Sequence, residues 1–382
     1  MIAAEVSDYR ELARRRLPRF LFDYLDGGAF SETTLRRNVD DFRDIEVRQR
    51  VMRDVSALST ETELFGKTVS MPVALAPVGL SGLYARRGEI QGAKAAHKAG
   101  IPFSLSTMSA CGVEELAKGA PYPFWFQLYM MRDRGFMRDV LARAREAGAS
   151  VLLFTVDLPV PGVRYRDMRS GMAGGTPLQQ RMMKAMQVLA RPEWAWDVGL
   201  MGRPHSLGNI VAAMDKSAGV NGYWSWVAQN FDASVTWKDI EAIRAEWSGP
   251  LVIKGVLTPE DARDAASAGA DGVIVSNHGG RQLDGARSSI RAVGPIADAV
   301  GDKLTVLLDG GVRTGLDVVR AVALGAKAVL IGRAWVYGLG ARGERGVSEV
   351  LDIIGKGVRN AMALTGCASI KDIDRSILDL KD

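Results

Sequence analysis

Cysteine and histidine are scarce in this chain of 382 residues, which holds only Cys111 and Cys367 of the first and His97, His205 and His278 of the second. The cysteines belong to no Cys-x-x-Cys motif, so free thiols in a reducing compartment are expected. The histidines are too scattered to predict a metal site. No apolar run approaches the roughly 20 residues that a membrane-crossing helix requires. A secretory signal is equally unexpected, because Asp8, Arg10, Glu11 and Arg14 to Arg16 stand where its apolar core would lie. Basic tracts interleaved with aromatics are missing, which speaks against nucleic acid as a partner. The modest surplus of positive charge, +5, fits an anionic substrate, a phosphate-bearing cofactor or an anionic lipid surface.

Hydrophobic residues make up 47% of the chain, enough for one large α/β domain or two ordinary ones. Residues 6 to 26 alternate charged and apolar positions at helical spacing, and the Gly27-Gly28 pair predicts the stop. From residue 73 a short apolar strand, a turn and an amphipathic helix repeat. Four helix ends announce the next strand in similar words, at Ala99-Gly100, Ala147-Gly148, Ala268-Gly269 and Leu324-Gly325. In each, glycine tolerates the left-handed backbone that the cap needs.

Strands are predicted at Val73 to Ala76, Phe103 to Ser106, Phe124 to Tyr129, Val151 to Asp157, Leu251 to Gly255, Gly272 to Ser276, Thr305 to Asp309 and Ala328 to Gly332. Eight strands alternating with helices predict one α/β domain over residues 1–382, a closed (β/α)8 TIM barrel with an N-terminal helical extension. A doubly wound sheet is the competitor. Its one fingerprint, Gly338-Leu-Gly-Ala-Arg-Gly343, is not the turn of a βαβ unit, has no strand after it with an acidic ribose partner, and reads as an ordinary loop.

Between Asp157 and Leu251 lies more chain than one crossover helix needs, which predicts a long insertion after strand four. Its middle, about 170–230, contains Trp194, Trp196, Trp224, Trp226 and six methionines. Met182, Met186 and Leu189 would form an apolar stripe on a short helix near Arg181, Lys184 and Arg191, suited to the interface of a bilayer. A soluble lid or a subunit contact is the alternative.

Chemistry gathers at strand ends in such a barrel. Asp309-Gly310-Gly311-Val312-Arg313 and Gly332-Arg333 place glycines and arginines at helix starts after the last two strands, a phosphate site. After strand six comes Ser276-Asn-His278-Gly-Gly-Arg281-Gln-Leu-Asp-Gly285, which presents an imidazole and a guanidinium from one turn. The first takes a proton near neutral pH and the second grips a carboxylate.

This stretch resembles the signature of the FMN-dependent 2-hydroxy-acid dehydrogenases and oxidases. With Phe20 to Ala29, Pro72 to Gly79 and Trp194 to Gly199, the resemblance covers nearly the whole chain and is strongest for the bacterial respiratory branch that acts on L-lactate. It implies FMN as cofactor, with Ser106, Gln127, Thr155, Lys254 and Ser276 at the ring and ribityl chain, and Ala76, Pro77 and Val78 at the flavin edge. Lys254 would stabilise negative charge on a reduced flavin; a Schiff-base lysine is the rival role.

By the same resemblance Tyr24, Arg164 and Arg281 hold the substrate carboxylate, Tyr129 meets the 2-hydroxyl, His278 takes the proton and Asp157 orients the imidazole. The implied reaction is oxidation of L-lactate to pyruvate, with electrons passed to a membrane quinone by a peripheral homotetramer on the cytoplasmic face of the inner membrane. An oxygen-using oxidase and a mandelate-type dehydrogenase are near rivals, and Gly79, where related oxidases tend to carry alanine, favours a dehydrogenase. A flavin-free phosphate-binding barrel lyase or isomerase is the rival from another class.

Overall fold

A computed structural model describes residues 2–211, 226 and 229–379. Eight parallel strands run β1 (Val73–Leu75), β2 (Ser104–Ser106), β3 (Phe124–Tyr129), β4 (Ala149–Thr155), β5 (Leu251–Val256), β6 (Gly272–Val275), β7 (Thr305–Asp309) and β8 (Ala328–Ile331). They pair in sequence order, β8 pairs with β1, and a parallel bridge from Leu75 to Phe103 closes the ring. The expected (β/α)8 barrel is the observed fold. Strand bounds differ from expectation by a residue or two, the usual scatter at element ends.

Alternate side chains explain the closure. Ala74, Trp125, Leu153, Val252, Ile274, Leu307 and Leu330 fill the barrel interior, while Val73, Leu75, Leu152, Ile253, Val273, Leu308 and Val329 pack outward on the helices. The hairpin Thr62–Leu64 and Lys67–Val69 plugs the lower mouth, where Phe65 meets Trp125 edge-on at 5.7 Å. The upper mouth, at the strands' C-terminal ends, is left for the site.

Gly100, Gly148, Gly269 and Gly325 all have positive φ, as the repeated helix endings predict. The first long helix departs from expectation. It divides into α1 (Val6–Arg16) and α2 (Arg19–Asp26), because Leu17 precedes Pro18 and takes an extended backbone. At its end Gly27 is extended too, with φ −75°, so the glycine pair is not a left-handed cap. A Cβ on Gly27 would lie 2.7 Å from the Asp23 carbonyl, and one on Gly28 would lie 2.8 Å from that of Gly280. Close approach, not torsion, requires glycine there.

The Gly338–Gly343 stretch is a second correction, since it lies within Arg333–Thr365 and is helical as far as Ala341. A break at Arg342 and Gly343 folds that helix on itself, and a Cβ on Gly338 would sit 2.4 Å from the Gly346 carbonyl. These glycines allow two helical arms to touch.

Within the insertion, Pro177–Leu189 is a helix that starts with a Thr176–Gln179 capping box. None of its residues is buried: Leu178 is 67% exposed, Met182 57%, Met186 61% and Leu189 80%. Lys184 lies over the Phe20 ring and Gln187 accepts from the Phe20 amide, which fixes the helix beside α2. Trp194 and Trp226 are buried, Trp196 is 65% exposed, and Trp224 lies outside the described residues. No described helix is long and apolar enough to cross a membrane.

Candidate active site

Four adjacent strands build the floor of a cleft at the upper mouth. Ser106 on β2 pairs in register with Gln127 on β3, Tyr129 with Thr155 on β4, and Thr155 with Lys254 on β5. Their side chains join in a row: Ser106 Oγ donates to Gln127 Oε1 at 2.9 Å, and Gln127 Nε2 donates to Thr155 Oγ1 at 3.0 Å. All are buried, and a core built for packing alone would put apolar groups here.

Lys254 Nζ donates to Ser276 Oγ at 2.9 Å and lies 2.9 Å from Asp309 Oδ2. Burial works against its charge, but Asp309 and Asp157 outweigh it and raise the ammonium above its ordinary range. A lysine held protonated is a fixed cation, the opposite of what a Schiff-base nucleophile needs. Ser276 lies behind Lys254, does not line the cleft, and also accepts from the His278 amide at 3.0 Å.

The turn after β6 is strained in one direction: His278, Gly279 and Gly280 have φ of 57°, 64° and 73°. A buried amide pair holds it, each of Asn38 and Asn277 donating to the other at 2.7 Å. The left-handed backbone turns His278 back over the barrel mouth, where Nδ1 meets Asp157 Oδ1 at 2.9 Å. A carboxylate only accepts, so Nδ1 carries the hydrogen and Nε2 of the neutral ring is a base beside the cleft. Burial opposes ionisation of Asp157, yet the imidazole and Lys254 hold its carboxyl below the usual range.

Four arginines line the same cleft: Arg164, Arg281, Arg313 and Arg333. Tyr24 stands between two of them, with Arg281 4.8 Å and Arg164 5.6 Å from its ring centre. Arg281 is pushed down from its ordinary range by burial and then by Arg164. Burial, with Arg281 and Arg313 close by, takes Arg333 to about 10. Crowded guanidinium groups of this kind favour anions in the space they share. Both central arginines also bind carbonyls: Arg281 Nη1 donates to Tyr24 O and Gly27 O, and Arg333 donates to Leu25 O, Gly27 O and Gly279 O.

Around the rim lie Ala76, Pro77, Val78, Gly79, Gly310, Gly311 and Gly332. Gly310 and Gly311 have φ of 94° and 91°, and a Cβ on Gly311 would strike the Asn38 carbonyl at 1.7 Å, so packing of helix α3 (Thr33–Arg43) accounts for that glycine. Gly332 is different. A Cβ there would meet only Ala76 and Val78, at 3.8 Å, leaving an open cradle at the start of the long final helix. Asp309 Oδ1 is buried with no hydrogen-bond partner among the described residues. An orphan acceptor, an open helix start and clustered arginines fit a ligand with hydroxyls and a phosphate, as FMN has.

Every expected residue except Asp157 and Ser276 lines the cleft directly, and those two stand immediately behind His278 and Lys254. The sequence reading missed Tyr84, Met108, Leu158, Pro161 and Phe231, which share the lining. Nothing in the strand pattern marks them, because they come from loops whose paths the periodicity does not fix. Tyr84 has a buried hydroxyl without a hydrogen-bond partner among the described residues, and burial raises it well above the ordinary range.

Comparison with known proteins agrees with this geometry. The L-lactate dehydrogenase of Caulobacter sp. (strain K31) is 60% identical over 100% of both chains, and that of Acinetobacter baylyi is 58% identical over 99% of this chain and 98% of its own. Among solved structures, the monotopic membrane protein (S)-mandelate dehydrogenase superposes with a TM-score of 0.93 at 36% identity, covering 100% of both chains. Mandelate oxidase gives 0.82 at 37%, over 99% of this chain and 98% of that one. Residues 13–380 match the family model for FMN-dependent dehydrogenases. A barrel whose mouth fits a flavin phosphate, a lysine held charged on its floor and full-length relatives of this kind lead to one assignment: the chain belongs to the FMN-dependent dehydrogenase family and takes FMN as its cofactor.

Proposed function

We propose that the enzyme oxidises L-lactate to pyruvate and passes the electrons to a membrane quinone. The observation that carries this reading is the convergence of His278, Arg281, Arg164 and Tyr24 on one cleft that also contains the buried Lys254 row. Arg281 and Arg164, with the Tyr24 hydroxyl, hold the substrate carboxylate; two guanidinium planes fix its orientation as well as its charge. Tyr129 hydrogen-bonds the 2-hydroxyl, and its own hydroxyl is kept protonated by burial and by Asp157. His278 Nε2 accepts one proton, and Asp157, held ionised, stabilises the imidazolium that results. Bound FMN supplies the acceptor for the two electrons that leave C2. Gln127, Thr155, Ser106 and the backbone of Ala76 to Val78 would hold its ring, Lys254 and Asp309 its polar edge and chain, and Gly310, Gly311, Arg313, Gly332 and Arg333 its phosphate.

Lactate, in preference to mandelate, is supported by names at 58–60% identity against 36–38% for the mandelate enzymes. Purified protein should be yellow and should bleach when L-lactate is added without oxygen. A colourless protein would mean a flavin-free barrel enzyme, and bleaching by mandelate alone would replace the substrate. Reoxidation faster with a quinone than with oxygen marks the dehydrogenase.

Membrane attachment belongs to the same reading, as a peripheral homotetramer on the cytoplasmic face of the inner membrane. The exposed row Leu178, Met182, Met186 and Leu189, with Trp196 exposed further along the insertion, supports a helix lying in the bilayer interface. Changing those four to serine should move most of the enzyme from the membrane pellet to the supernatant with turnover on a soluble dye unchanged. A wild-type enzyme wholly soluble after lysis at low salt would remove the membrane half of the proposal.

A further inference from the structure

A second cavity of about 450 Å³ adjoins the active-site cleft. The two spaces share Tyr129, Thr155, Leu158 and Phe231 in their walls. Beyond that wall the cavity has an apolar flank of Val156, Pro159, Val235, Trp237 and Ile240 and a polar one of Asp232, Thr236 and Asp261, with Asp232 paired to Arg134. Tyr129 and Thr155 already have polar work on the cleft floor. The apolar part of the partition is Leu158 and the ring of Phe231.

Phe231 is placed as a plug. Its ring lies 4.7 Å from that of Tyr129, tilted by 30°, and 6.3 Å from that of Trp226 in a T-shaped contact. Its backbone is tied by a bridge to Met131 and by Arg132, which donates to its carbonyl at 3.3 Å. The backbone ties do not depend on the side chain, so the ring can be removed without releasing the segment that carries it. With the carboxylate at Tyr24, Arg164 and Arg281 and the hydroxyl at Tyr129, the apolar residues left in the cleft lining include Leu158, Pro161 and Phe231, with Val78 and Met108.

We propose that Phe231 sets the substrate's size: its ring confines the group on C2 to something as small as a methyl and seals off a cavity that would otherwise take the longer apolar side chains of other L-2-hydroxy acids. This inference rests on the L-lactate reading above. An apolar pocket discriminates by only about 10- to 200-fold per methylene, so a solid wall is the effective way to exclude a side chain of four or seven carbons.

The test compares wild type with Phe231→Ala and Phe231→Leu as FMN holoenzymes, on L-lactate, L-2-hydroxyhexanoate and L-3-phenyllactate. The ratio of kcat/KM for each long substrate to that for lactate should rise at least 30-fold in Phe231→Ala and by a smaller factor in Phe231→Leu. Loss of a merely structural ring would lower all three substrates alike and leave the ratios flat. Ratios within threefold of wild type, in either variant that keeps its flavin spectrum, overturn the proposal; Phe231→Leu decides if Phe231→Ala fails to fold. Failure of the lactate reading appears separately, as wild-type flavin that L-lactate does not reduce.

Discussion

Replacing His278 by glutamine is expected to slow flavin reduction by L-lactate by about 10,000-fold while the protein stays yellow, the upper end of what a positioned base contributes. The side chain sits where Asp157 fixes one ring nitrogen as a donor and so leaves the other as the acceptor. Glutamine can keep a hydrogen bond to Asp157 but has no group that takes a proton at neutral pH. The left-handed φ of 57° adds a cost of about 1 kcal/mol in stability for most other residues, too small to unfold a barrel of this size. Stopped-flow reduction under argon measures the rate, and the visible spectrum reports the bound flavin. A variant that bleaches within tenfold of wild type would move the base to another residue.

Lys254→Met should be the most damaging change to the protein itself. Lys254 and Asp309 form an ion pair with side chains only 5% and 9% exposed. Removing one partner of such a pair leaves the other buried and uncompensated, which costs about 3–5 kcal/mol. Unfolding of the flavin-free variant by urea should show that loss. The double variant Lys254→Met, Asp309→Leu should recover most of the stability while binding FMN poorly, since it lacks both the cation and the orphan acceptor. A loss below about 1 kcal/mol in the single variant would mean that the pair has no structural weight.

What the sequence makes legible is set by local physics. The glycines at 100, 148, 269 and 325 announce their helix ends because a left-handed cap is a property of a few consecutive residues. Polar residues at the ends of apolar strands mark the cleft floor for the same reason: alternation and burial are visible in a short window. Contacts across the barrel are not. Lys254 and Asp309 meet although β6 lies between their strands, and Ser276 serves Lys254 from behind, which no spacing along the chain predicts. Gly27, Gly28 and Gly338 were open to a wrong explanation because close approach and positive φ select the same residue, and only the neighbouring backbone distinguishes them. Phe231 carries no local signal at all; its place beside Tyr129 depends on where the long insertion returns to the barrel.

The carbonyl contacts of Arg281 and Arg333 set an order of assembly. Helix α2 ends in carbonyls at 24, 25 and 27 that are met by guanidinium groups more than 250 residues further along. On a ribosome, therefore, the earliest-made helices must wait for nearly all of the polypeptide before their last turn is satisfied. Cutting the chain just after that turn would strip two part-buried cations of the carbonyl dipoles that offset their charge, so the fragment that remains would lack a formed mouth and would not be a smaller enzyme.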